Sequence, residues 1–278
     1  MAEITAAAVK QLREMTDLPM MDCKKALTEA AGDQEKALAL LKSWGKKVMD
    51  KRAENLTQEG LIVIEIKPDG SEAAMIELQC ESAPVAVSED FNFLASQCIK
   101  QLLNGPGAAT PEELLAQPAP DRPGQTINEV LGEVVNKIRE KMVLAKVTRV
   151  AGPVGGYVHH NKKNGVLFQA EGTGKSPEVL RDVAMHIAAL RPKATFPAEL
   201  PADLVAAERA KLTEEALKSG KPANVVDKIV EGRLKNFYVE QGVLVEQPFA
   251  KDDSKSVSQA LAEQGYKAAA FTRWVIGN

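Results

Sequence analysis

The chain has 278 residues, 45% of them hydrophobic, enough to bury one large core or two to three small ones. Its 35 basic and 38 acidic residues leave a formal charge of -3, so no bulk field draws it toward nucleic acid or an anionic membrane. Three cysteines, Cys23, Cys80 and Cys98, an odd number with no C-x-x-C spacing, argue against a disulfide framework and against a zinc site. The N-terminus is amphipathic and charged from residue 3, with no apolar run, and no later stretch approaches a membrane span; the expected location is the cytoplasm, without a membrane partner.

Three helical patterns open the chain: TAAAVKQLREM, MMDCKKALTEA and DQEKALALLKSW, broken at TDLP and AGD. Thr5 and Asp33 are suited to cap helix starts, Pro19 to a first turn and Gly32 to a helix end. Val9, Leu12, Cys23, Ala26, Leu27, Ala37, Leu38 and Leu41 recur at helical spacing, so three apolar faces must cover one another. The spacing predicts a three-helix module over residues 1–55, ending in the charged stretch KKVMDKRAENLTQEG.

Two strand patterns follow, GLIVIEI and AAMIELQ, joined through the turn composition Pro68-Asp69-Gly70. A helix over SEDFNFLASQCIKQLL comes next, then a connector rich in proline, a helix over TINEVLGEVVNKIRE and a strand KMVLAKVTRV; these make a first α+β lobe over 56–150. A similar order returns in 151–278: a strand around GGYVHH, a strand GVLFQA, the turn EGTGK, a helix SPEVLRDVAMHIAAL and a last strand AAAFTRWVIG. Within this second lobe, about 201–240, two helices separated by Ser219-Gly220-Lys221-Pro222 carry narrow apolar faces, Val205, Leu212 and Ala216 on one, Val226, Ile229, Val230, Leu234 and Phe237 on the other. So short a turn makes them antiparallel, and the narrow seam predicts a protruding coiled coil. The fold class is α+β.

Several stretches tempt a chemical reading. Gly174-Lys175-Ser176 lies between a strand and a helix, but a phosphate-binding loop needs glycine where Gln169 stands. His159 and His160 are neighbours that an extended backbone would point apart, and His186 belongs to another element, so a metal site is not expected. Cys80-Glu81-Ser82 sits where a strand meets a helix; Cys80 alternates with Ile76 and Leu78, which favours burial over nucleophilic chemistry.

The ordered series MTDLPMMDCKKALTEAAGD, GYVHH with GVL, AMHIAA with RP, SGKP with VEGR, QPF and the terminal FTRW resembles the bacterial elongation factor Ts family across essentially the whole chain. The resemblance implies a guanine-nucleotide exchange factor that binds elongation factor Tu in its GDP form and promotes GDP release. It implies no enzyme chemistry and no cofactor, no direct nucleic-acid contact, and a ubiquitin-associated-like N-terminal module, and it leaves open a homodimer or a heterotetramer. Met20, Met21, Asp22 and Lys24 match its N-terminal contact surface, where flexible thioethers suit an apolar interface. His159 matches a histidine that inserts between helices of the GTPase, and Pro248 and Phe249 match a segment bordering the partner. The family's Thr-Asp-Phe-Val motif falls on Ser82, Ala83, Pro84 and Val85, so the carboxylate and ring that approach the magnesium site are both replaced. Asp90-Phe91 looks like a displaced copy, but Phe91 lies on a buried stripe and is expected in the core. A peptide- or ubiquitin-like-binding adaptor, working through the N-terminal module, is the alternative.

Overall fold

A computed structural model describes residues 4–174, 176–218 and 222–277, leaving aside the side chains of 46, 49, 223 and 224. The linkers Ser219 to Lys221 and the Lys175 of the EGTGK turn therefore lie outside the described residues. Two compact units result, one of residues 1–65, 74–149 and 275–278, the other of 66–73 and 150–274.

In the first unit, α1 (Ala6–Thr16), α2 (Met20–Glu29) and α3 (Gln34–Lys51) share a small core of Val9, Leu12, Leu18, Cys23, Leu27 and Leu41. Thr5 caps α1 by accepting from the Ala8 N–H at 3.2 Å, and Asp33 accepts from the Lys36 N–H at 3.0 Å, so orphan amides at both helix starts are satisfied. Gly32, at φ 86°, lets its N–H reach back to the Leu27 carbonyl and close α2. One boundary differs from expectation. The stretch KKVMDK does not separate the module from the rest but continues α3, because it contains no helix breaker and places Val48 against the apolar cluster of the following lobe.

That lobe begins with the hairpin β1 (Glu59–Ile66) and β2 (Glu72–Cys80). Its turn is closed by the Gly70 N–H on the Lys67 carbonyl at 2.8 Å, with Gly70 at φ 69°. Helix α4 (Ala83–Ala86) is a single turn, followed by α5 (Glu89–Asn104), which Ser88 caps. The proline-rich connector is not featureless: Thr110 caps a short α6 (Pro111–Leu115) that buries Leu114. Then come α7 (Ile127–Ile138), opened by a Thr126–Glu129 capping box, and β3 (Met142–Ala151), which joins the sheet in the order β1-β2-β3. Ile76, Leu78 and Cys80 face Phe91, Leu94 and Cys98 of α5 in one core, as the stripe on α5 predicts.

The second unit repeats the plan. β4 (Val154–Val158) pairs antiparallel with β5 (Asn164–Glu171), Val154 opposite Gln169 and Val158 opposite Gly165, and the sheet order is β4-β5-β8. Helix α8 (Glu178–Leu190) covers it with Leu180, Val183 and Ile187. Helices α9 (Ala202–Lys218) and α10 (Ala223–Glu240) bury Leu212, Ala216, Val226, Val230 and Leu234 between them. The cross-pairs Arg209–Glu231 and Glu215–Arg233 link the two helices beside that seam. A two-stranded hairpin, β6 (Pro248–Phe249) with β7 (Asp252–Ser256), and helix α11 (Val257–Glu263) precede β8 (Lys267–Val275). Periodicity does not announce β6, β7 or α11, because DDSKS is polar throughout and α11 is barely two turns. No helix among the described residues is long and apolar enough to cross a membrane.

Candidate functional site

The first turn of α2 turns Met20 and Met21 outward, 50% and 73% exposed, while Cys23, Ala26 and Leu27 hold the helix down from the opposite face. Two adjacent exposed thioethers on a fixed helix form an adaptable apolar patch. Lys24 is exposed beside them, and Lys25 lies over the Trp44 ring, 5.0 Å from its centre. Asp22 is not free on this surface: its carboxylate is bonded to the Arg139 guanidinium at the end of α7. Lys137, two residues earlier, donates to Asp17 and, at 3.0 Å, to Asp90 on α5. The hydrogen bond from Lys137, and then its charge, hold the Asp17 carboxyl below the usual carboxylate range, and the same bonds raise Lys137.

At the end of β2, each group that suggested a nucleophile is otherwise employed. Cys80 is fully buried in the core. Glu81 accepts from Arg52 at 2.8 and 2.9 Å, from Asn55 at 2.8 Å and from the Lys141 N–H at 2.6 Å. Burial, the largest single influence, pushes the Glu81 carboxyl up, but the Lys141 amide, Asn55 and Arg52 together bring it below its ordinary value. Ser82 is bonded through both its N–H and its hydroxyl to Glu140, at 3.1 and 2.6 Å. These contacts fix the turn that carries Ala83 and Pro84, both exposed, while Val85 packs partly onto the lobe core. Phe91 is buried, so the Asp90-Phe91 pair offers no ring to the surface.

In the second unit His159 follows the end of β4, in the turn before β5. Its N–H bonds the Asn164 carbonyl at 2.8 Å and its Nδ1 meets the Tyr157 hydroxyl at 2.9 Å. The expectation that His159 and His160 point apart does not hold, since the strand stops at Val158 and the two rings stand 4.2 Å apart, centre to centre. Among the described residues, no group of three or more His, Cys, Asp or Glu is placed to hold a metal ion.

Pro248 is exposed, whereas the Phe249 ring is 5% exposed and belongs to the core beneath α8. Behind it lies an arrangement that periodicity does not reveal. Buried His186 bonds Gln247 Oε1 through Nε2 at 2.9 Å and accepts the Ala250 N–H at Nδ1, 3.1 Å away, holding the segment on both sides of Phe249. Gly174 approaches Tyr266 so closely that a Cβ there would lie 1.9 Å from the ring, so the glycine of the EGTGK turn serves packing.

The fold, with its helical module, its small antiparallel sheets and its exposed thioether patch, is that of an α+β protein, and similarity to known sequences narrows the class to the translation elongation factors. Residues 84–278 match the family profile described as Elongation factor TS. Elongation factor Ts of Aquifex aeolicus (strain VF5) is 40% identical over 280 residues, covering 97% of this chain and 96% of the relative. That of Paenarthrobacter aurescens (strain TC1) is 41% identical over 285 residues, covering both sequences completely. The chain belongs to the elongation factor Ts family.

Proposed function

We propose that this chain is a guanine-nucleotide exchange factor that binds elongation factor Tu in its GDP form and promotes GDP release, in the cytoplasm and without a covalent step. The observation that carries the reading is similarity to proteins named Elongation factor Ts over the whole length of the chain. In this reading residues 1–55 act as a ubiquitin-associated-like module, and α9 with α10 as a coiled-coil protrusion. Met20, Met21, Lys24, Ala83, Pro84, His159 and Pro248 supply the contacts, with Ser82, Val85, Asp22 and Phe249 holding them from behind.

Exchange of this kind is differential binding. A factor that holds the nucleotide-free GTPase more tightly than the GDP form must weaken GDP by the same ratio. Each tenfold weakening requires about 1.4 kcal/mol of differential contact. Because Ala83 and Pro84 replace a carboxylate and an aromatic ring, the main perturbation falls to His159, acting on the phosphate side, and Pro84 serves as a blunt apolar wedge. The test is the release of labelled GDP from elongation factor Tu of the same source, with and without the chain. His159→Ala is expected to slow stimulated release at least tenfold; Ala83→Asp with Pro84→Phe is expected to speed it. Unchanged release in His159→Ala would remove the assignment to that side chain, and no stimulation by the wild type would remove the function.

A further inference from the structure

Arg139 caps the end of α7 in the left-handed conformation, φ 65°, a position where glycine is ordinarily found because a Cβ is crowded there. An arginine accepted at that position draws attention to its side chain, which reaches Asp22 in the first turn of α2. Lys137 is bonded both to Asp17, in the turn between α1 and α2, and to Asp90, at the start of α5, at 2.9 Å. The two cations at one end of α7 thus take both acidic residues that bracket Met20 and Met21 in the stretch Asp17-Leu18-Pro19-Met20-Met21-Asp22. Their placement also suits the negative end of the helix dipole.

Beneath these pairs the helical module is seated on α7 by a close crossing. A Cβ on Gly45 of α3 would lie 3.0 Å from Asn136 Cβ and 3.3 Å from the Gly132 carbonyl, and Asn136 Nδ2 donates to the Leu41 carbonyl at 3.0 Å. Beside the crossing the packing opens into a cleft of about 890 Å³, lined among others by Asp17, Leu41, Asp90, Phe93, Asn136 and Lys137. The close helix crossing and its Asn136 hydrogen bond fix one edge of the module, and the ion pairs span the open one.

We propose that Lys137 and Arg139 are positioning residues that clamp α2 to the core helices, so that Met20 and Met21 stand as a preformed contact patch for the protein partner. The proposal rests on the exchange reading for the identity of that partner. Ion pairs that water still reaches, as these half-buried ones are, add little to global stability and are screened by salt. Their effect therefore lies in orientation, which lowers the ordering cost of binding.

The test is the double variant Lys137→Gln with Arg139→Gly in the full chain. Glycine relieves the crowded cap, so the melting temperature is expected to stay level or rise. The factor concentration giving half-maximal GDP release is expected to increase roughly three- to tenfold, with the rate at saturation within about twofold of wild type. Independently, spin labels at Glu29→Cys and Glu112→Cys report the distance between α2 and the core lobe, and the distribution is expected to broaden in the double variant. A distribution as narrow as in the wild type overturns the clamp, and a broadened one with unchanged half-maximal concentration overturns its link to the contact patch. If the wild-type chain fails to stimulate release, the exchange reading fails while the label distances still decide the clamp.

Discussion

His186 shows how much one side chain can settle. The Ala250 N–H can only donate, so Nδ1 of His186 must be an unprotonated acceptor and the ring's proton sits on Nε2, facing Gln247. Burial drives the pKa of His186 below its ordinary 6.5, and the Gln247 bond offsets part of that shift. Its contribution to stability is therefore complete above pH 6.5 and is lost as pH falls from there through the lower folded value, because the unfolded chain takes up the proton first. A series of melting temperatures from pH 8 to pH 5 is expected to fall more steeply for the wild type than for His186→Gln; parallel curves would sink the assignment. The cysteines allow a second check at this scale. Cys23, Cys80 and Cys98 are all buried, and burial pushes the Cys98 thiol up to about 12, so a thiol reagent is expected to label none of them rapidly in the native state and all three in denaturant. Rapid native labelling of Cys80 would reopen a nucleophilic role.

At the scale of elements, packing rather than propensity decides the tightest positions. Gly155 on β4 meets α8 so closely that a Cβ would lie 2.3 Å from the Leu180 carbonyl carbon. Neither backbone can yield cheaply. Gly155→Ala is expected to cost about 3 kcal/mol, read as a lowered urea midpoint with an unchanged slope. Most elements are legible in the sequence because their apolar positions repeat: the α5 stripe of Phe91, Leu94 and Cys98, and the seam of Leu212, Val226, Val230 and Leu234, are both where the spacing puts them. The failures have local causes. Helix α3 overruns its expected end because charged residues are good helix formers, and β6 with β7 escapes notice because its pairing partner lies within a polar run that carries no period. Likewise the end of β4 at Val158, not any property of histidine, brings the His159 and His160 rings together.

For the molecule as a whole, the expected activity is a thermodynamic cycle. The ratio of the chain's affinities for nucleotide-free and GDP-bound elongation factor Tu is expected to equal the factor by which the chain weakens GDP binding, both measured by titration calorimetry at one salt concentration. Equal affinity for the two forms would end the proposed function. The clamp at α7 belongs in the same cycle, since a module held in place before contact loses less freedom on binding than one that must be ordered by it.

By itself the sequence determined the α+β class, the three opening helices, the strands of the two three-stranded sheets and the family, because periodicity, caps, turn chemistry and ordered signature stretches are local properties of a chain. Only the tertiary structure decided which side chains remain available. Asp22 is engaged by Arg139 from 117 residues away, Glu81 by Arg52 and the Lys141 amide, Ser82 by Glu140, and Phe249 by the core under α8. A charge or a ring advertises its chemistry in any sequence, but whether that chemistry is spent inside the protein depends on partners brought close in space by folding, and no local pattern records them.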